Sequence, residues 1–241
     1  MSNNSEFTFT EHLAELRDRL IHSAYGLLVT TVICYNYSFE IFNFIRKPIA
    51  KFLPMGGLIF TGPFDKFIAH LKLSFIAGVI LASPFWLYQV WKFIAPGLYA
   101  KEKKYTAGFI IAGTVLFLTG CAFAYYLAMP MALEYLMTFG GDIDKPMISI
   151  DQYLGFFAQM CLMFGAVFEL PLILIVLGMM GIVSHEFLKT NRRYAIMILA
   201  IAAAIITPPD LLSMVMALVP MILFYEVAVL VVGLMQKSKA T

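Results

Sequence analysis

Six apolar runs, near residues 23–43, 71–95, 107–130, 153–180, 194–207 and 211–235, constrain this chain more than any motif in it. A helix needs about 20 residues to cross about 30 Å of hydrocarbon. The runs are too long and too evenly apolar for the alternating strands of a membrane barrel, and a bilayer admits only helices or closed barrels. Composition agrees: 13% of residues are charged, where a soluble domain carries about 25%, and the mean hydropathy is +0.84. These features predict an all-α integral membrane protein of six transmembrane helices with both termini on one side. Short loops make it one domain over residues 1–241, with no internal repeat, low-complexity tract or appended soluble module.

Basic residues give the orientation. Eleven of the 17 Lys and Arg, from Arg17 and Arg19 through Lys101, Lys103 and Lys104 to Arg192, Arg193, Lys237 and Lys239, fall on the face that holds the termini. The positive-inside rule places that face in the cytoplasm. Residues 1–22 then form a cytoplasmic amphipathic segment, 96–106 and 181–193 are cytoplasmic loops, and 44–70 and 131–152 are external. Pro48, Pro54, Gly56, Gly57, Gly62 and Pro63 make the first external loop a folded cap with one short amphipathic helix. The second is acidic, with Asp142, Asp144 and Asp151. No basic n-region or cleavage site precedes the first run, which is expected to stay as an anchor.

Two runs depart from the simple pattern. The fifth, Tyr194 to Thr207, has 14 residues and covers about 21 Å. It ends in Thr207-Pro208-Pro209-Asp210, a helix-breaking turn into the sixth run, so the two make a short hairpin. Either the bilayer thins locally or a tilted neighbour supplies the missing length. The fourth run carries Glu169 in Phe164-Gly-Ala-Val-Phe-Glu-Leu-Pro171, where an acid costs about 2.5 to 3.5 kcal/mol on insertion scales. Pro171 would loosen the helix and leave freed carbonyls beside a polar pocket. The plainer reading is a protonated acid hydrogen-bonded inside the bundle. Glu226 in the sixth run lies nearer the cytoplasmic end.

At the amino terminus Phe9, Leu13, Leu16 and Leu20 fall at helical spacing, with Glu11, Glu15 and Asp18 on another face. Thr8 and Glu11 suit a capping box. Glu15 and Arg19 form an i to i+4 pair that helix stabilisation alone would explain. In the loop Phe93-Ile-Ala-Pro-Gly-Leu-Tyr-Ala-Lys-Glu-Lys-Lys104, Pro96-Gly97 ends the second helix and Glu102 stands alone among lysines; such a cluster is most often a solvated patch. Cys34, Cys121 and Cys161 lack C-x-x-C spacing, and His12, His22, His70 and His185 are scattered. No metal site, nucleotide loop or enzyme chemistry is expected.

Taken in order, His12-Leu-Ala-Glu-Leu-Arg-Asp-Arg-Leu20, Phe93-Ile-Ala-Pro-Gly-Leu-Tyr99 with Glu102, Phe168-Glu-Leu-Pro171 and Thr207-Pro-Pro-Asp210 resemble the TatC family, the polytopic subunit of the twin-arginine protein translocase. The resemblance covers nearly the whole chain. It implies a concave bundle whose spans 5 and 6 are short, set in a prokaryotic inner membrane. The implied protein receives twin-arginine signal peptides of folded precursors, recruits TatA- and TatB-type single-span partners, associates with itself and draws on the proton-motive force. It uses no cofactor, metal or nucleic acid.

Carried onto this sequence, the signal-recognition carboxylates fall at Glu15 and Glu102, with Arg17, Phe93, His12 and Arg19 on the same surface. A guanidinium presents a planar fork to a carboxylate that an ammonium cannot reproduce, so two carboxylates can read two adjacent arginines. Glu169, with Pro171, resembles the family's intramembrane acid and is expected to meet a polar residue of a TatA-type helix. Pro48, Pro208, Pro209 and Asp210 are candidate structural or docking positions, and Met197, Leu199, Met214 and Met216 could supply adaptable packing for a TatB-type helix. Some relatives carry a polar side chain where this chain has Met214, so a hydrogen-bonded dock is not expected there. The alternative class is an ion-coupled small-solute transporter using Glu169 and Glu226, whose inverted repeats the sequence does not show.

Overall fold

The computed structural model describes residues 9–53, 57–94, 106–139, 141, 146–207 and 210–240. The described residues are helical, apart from loops and one isolated parallel bridge between Ile59 and Ser149. In chain order the helices are α1 (Phe9–Asn36), α2 (Ser38–Ile45), α3 (Lys47–Ala50), α4 (Asp65–Leu81), α5 (Ser83–Ile94), α6 (Thr106–Phe123), α7 (Met129–Thr138), α8 (Ile150–Phe168), α9 (Leu170–Met179), α10 (His185–Thr190), α11 (Arg192–Ile206) and α12 (Leu211–Ala240). Among the described residues, three stretches are long and apolar enough to cross a membrane unaided: Ala107–Thr138, Ile150–Met179 and Leu211–Lys237. A fourth is the pair α4 and α5, bent by 56°.

Proline chemistry explains the interruptions. Pro84 has no N–H to give Ile80 and biases Ser83 away from helical geometry, so the second apolar run bends at Ala82 instead of crossing straight. The Trp86 indole N–H donates to the Val79 carbonyl at 3.0 Å and repairs part of the loss. Pro130 is absorbed by a π turn, Ala124–Ala128, in which the Met129 N–H reaches back to the Ala124 carbonyl. Pro171 sits in the first turn of α9, where a missing N–H costs least. The chain breaks beside it at Glu169, yet Ile150–Met179 still reads as one span.

α8 is the central column: Tyr153, Leu154, Met160 and Phe164 are fully buried against α4, α12 and the π turn. Small residues let the other helices close on it and on each other. A Cβ on Gly120 of α6 would sit 2.9 Å from the Gly165 Cα, and one on Gly78 of α4 would sit 2.7 Å from the Thr31 hydroxyl of α1.

After α1 the chain forms a cap of two short helices, α2 closing the first apolar run and α3 lying in the loop over residues 44–70, because Pro48 restarts the chain after Ile45. Pro48 also leaves the Phe44 carbonyl without its i+4 donor, and the Tyr125 hydroxyl takes that place at 2.8 Å. Tyr153 donates to the Ile45 carbonyl at 2.5 Å. The cap is therefore fastened to the third and fourth apolar runs by two buried phenols.

The expectation that the fifth and sixth spans are both short needs correction. α11 is short, with 15 residues, but α12 has 30. Its one internal proline, Pro220, is tolerated without a break, and nothing after it stops the helix before Lys237. Thr8, half of the expected capping box, lies outside the described residues.

Removing either phenol should loosen the cap without disturbing the bundle. Tyr125→Phe and Tyr153→Phe should each cost about 1 to 3 kcal/mol, because a buried carbonyl loses its donor. Thermal unfolding in detergent should show lower midpoints, and hydrogen exchange should rise over residues 38–53 first. An unchanged midpoint and exchange pattern in both variants would rule out the fastening.

Candidate functional site

One groove gathers residues from both ends of the sequence argument. It is lined by His12 of α1, by Trp86, Val90, Trp91 and Phe93 of α5, by Phe117 of α6, and by Glu169, Ile173, Val176 and Met180 along α8 and α9. Its volume is about 510 Å³. From Glu169 to Met180 the α9 wall runs about 16 Å at 1.5 Å per residue. The 56° bend makes the site, because it swings α5 against the start of α1 and opens a wall toward α9.

The groove's two ends differ in chemistry. At one end the His12 imidazole stacks on Phe93, with ring centroids 4.4 Å apart and planes 13° from parallel. Two turns further along α1, the Arg19 guanidinium donates to Glu15 at 3.1 Å and to the Gln89 side-chain oxygen on α5 at 3.4 Å. At the inner end Glu169 is 8% exposed, and its Oε1 is buried without a hydrogen-bond partner. Gly113 of α6 makes room for that carboxylate, since a Cβ there would lie 3.2 Å from Oε2. Between the ends the walls are almost wholly apolar, and the Trp86 N–H is already committed to Val79. A groove of this kind suits an extended or helical apolar segment with a cationic end.

The structure places His12, Phe93 and Glu169 along one groove, with Pro171 two positions after the last, while Glu15 and Arg19 pair with each other, and Arg19 with Gln89, beside the groove without lining it. It does not bring Arg17 to the groove: that side chain is exposed and paired to its neighbour Asp18 at 2.9 Å. Glu102, Pro208 and Pro209 lie outside the described residues. Asp210 caps α12, its Oδ1 accepting the Ser213 N–H at 2.7 Å, so a local structural role accounts for it. Met214 is half-buried against the main core, as are Leu199 and Met216, while Met197 is exposed. Pro48 shapes the cap and is remote in role from the groove.

Sequence reading missed Gln89, although an amide inside an apolar run was visible and unexplained. It also left Glu226 without a partner. Arg192 holds it at 2.8 Å, joining the start of α11 to α12.

Comparison with known proteins fits this geometry. The family model described as Sec-independent protein translocase protein (TatC) matches residues 11–220. This chain belongs to the TatC family. The Sec-independent protein translocase protein TatC of Desulforapulum autotrophicum is 41% identical over 232 residues, 96% of this chain and 86% of that protein. Its counterpart in Carboxydothermus hydrogenoformans is 39% identical over 93% of this chain and 92% of its own length. A crystal structure of the twin-arginine translocase receptor TatC superposes with a TM-score of 0.80 at 35% identity, covering 93% of this chain and 99% of that one. The protein is thus a membrane translocase component of the all-helical TatC fold. Its family is one of protein translocase components.

The capping role of Asp210 can be separated from a docking role. Asp210→Asn keeps a capping oxygen and should leave thermal stability in detergent nearly unchanged. Asp210→Ala should lose about 1 kcal/mol, the usual worth of a cap. Equal losses in the two variants would show that the charge matters, not the cap.

Proposed function

We propose that this TatC protein is the signal-peptide receptor of its translocase, with both termini in the cytoplasm, six spans in a prokaryotic plasma membrane and the His12–Phe93 end of the groove on the cytoplasmic side. The observation that carries the reading is the continuity of one groove from the His12–Phe93 stack, beside Glu15, to the unpartnered Glu169. A twin-arginine signal peptide presents two guanidinium groups and then an apolar stretch. In this reading Glu15 accepts one guanidinium, Glu102 the other, and the apolar stretch lies along the α5 and α9 walls.

Glu169 is left for a later step. A buried carboxyl oxygen without a partner is costly, and a polar side chain on a TatA-type helix would satisfy it. TatB-type helices would dock along α11 and α12, where Met197 is exposed, and copies of the chain would associate within the complex. The precursor crosses folded, driven by the proton-motive force.

The test is binding of a labelled twin-arginine signal peptide to the full-length protein in detergent. Arg-Arg should bind better than Lys-Lys, and Glu15→Ala and Glu102→Ala should each weaken Arg-Arg binding about tenfold or more, the loss of a charged hydrogen bond. Glu169→Ala should bind the peptide normally yet block export of a reporter precursor. Absence of Arg-over-Lys preference with TatB-type partner present would sink the receptor reading.

A further inference from the structure

The carboxylate offered to an incoming guanidinium already holds one. Arg19 reaches Glu15 across one helical turn at 3.1 Å and, with its other terminal nitrogen, Gln89 on α5 at 3.4 Å. This pair is unlike the neighbouring Arg17–Asp18 pair. Glu15 and Arg19 side chains are 22% and 27% exposed, against 57% for Asp18 and 71% for Arg17. Arg19 Nε is buried without a partner, and Gln89 is 5% exposed. A buried amide on an apolar helix costs free energy unless it is paired. Gln89 spends its oxygen on Arg19, which fixes the guanidinium between two helices. Helix stabilisation explains an i to i+4 pair; it does not explain a third member on another helix.

We propose that Arg19 is an internal competitor for Glu15, held in place by Gln89, and that the two residues set how strong a cationic peptide must be to occupy the receptor. The proposal rests on the reading of Glu15 as an acceptor of a signal arginine. Arg19 gives Glu15 one nitrogen and Gln89 the other, so a bound guanidinium, which can offer Glu15 a full fork, recovers the contact it breaks. An ammonium would replace that contact with a point charge and recover less. Because displacement taxes every ligand by the same factor, the Arg-to-Lys ratio stays fixed while all affinities fall. Weak cationic segments then drop below useful occupancy, and the site rejects ordinary lysine-bearing amino termini. Gln89 acts as a positioning residue, since it touches Arg19 and not the peptide.

The experiment compares Arg-Arg and Lys-Lys signal peptides on the full-length wild type, Arg19→Gln and Gln89→Leu, at low and high salt. Size-exclusion elution and thermal unfolding check that each variant is folded. Both variants should bind both peptides more tightly, by roughly two- to fivefold, the worth of a partly exposed ion pair, with the Arg-to-Lys ratio unaltered. Gln89→Leu changes no charge, so its gain should survive high salt, where simple removal of a repelling cation would be screened. Weaker binding in Arg19→Gln would overturn the proposal and make Arg19 an orienting group for Glu15 or a direct contact. Unchanged binding in both variants would overturn it in favour of a helix staple. If the wild type shows no Arg preference and Glu15→Ala binds normally, the receptor reading itself has failed, a result distinct from either of these.

Discussion

A carbonyl freed inside hydrocarbon has no water to accept, so each proline in a membrane helix creates a debt that the protein must settle internally. Pro48, Pro84, Pro130, Pro171 and Pro220 all lie within the helices of this chain. The first four are settled in different ways, while Pro220 is carried inside α12 without a break. Tyr125 donates to the carbonyl left by Pro48, Trp86 donates beside the Pro84 bend, and a π turn widens the helix ahead of Pro130. Pro171 enters where α9 begins. These repairs shape the site as well as the fold: the Pro84 bend presents α5 to α1, and the break before Pro171 leaves Glu169 at a helix junction facing the groove.

Much of this was legible in the sequence because hydrocarbon imposes a length and a polarity that residues display directly. The apolar runs, the charged amino-terminal helix and the isolated Glu169 could all be read off one face or one window. What could not be read was set by pairing across distant segments. Gln89 is unremarkable until Arg19 lies beside it, 70 positions away. Tyr153 and Ile45 are 108 positions apart, and Arg192 finds Glu226 only once α11 has folded back on α12. The length of α12 was misjudged for a different reason: the Thr-Pro-Pro-Asp turn marks where the helix starts, but no breaker marks where it stops.

The groove divides recognition into parts that obey different physics. Its mouth is half-solvated, so charge pairing there is worth little in total and much in selectivity, and salt weakens it. Its walls act by area, favour any apolar segment of fitting shape, and discriminate little. A receptor built from both can take many sequences provided the charged end is right. An Arg19 competitor at the mouth, as proposed, would raise the standard for that end without narrowing the choice of apolar segment.

The mismatch between α11 and α12 has a mechanical consequence. Fifteen helical residues reach about 22 Å, some 8 Å less than a typical hydrocarbon core. Tilting α11 cannot close that gap, because a leaning helix spans less depth, not more. α12, twice as long, can lean across and shield one side, and the Arg192–Glu226 pair keeps the two helices in register while it does so. In the proposed six-span arrangement the other side of α11 would face lipid that must thin, at fractions of a kcal/mol per Å. A helix packed against that side would displace the strained lipid, so association there would return more free energy than its contact area alone provides.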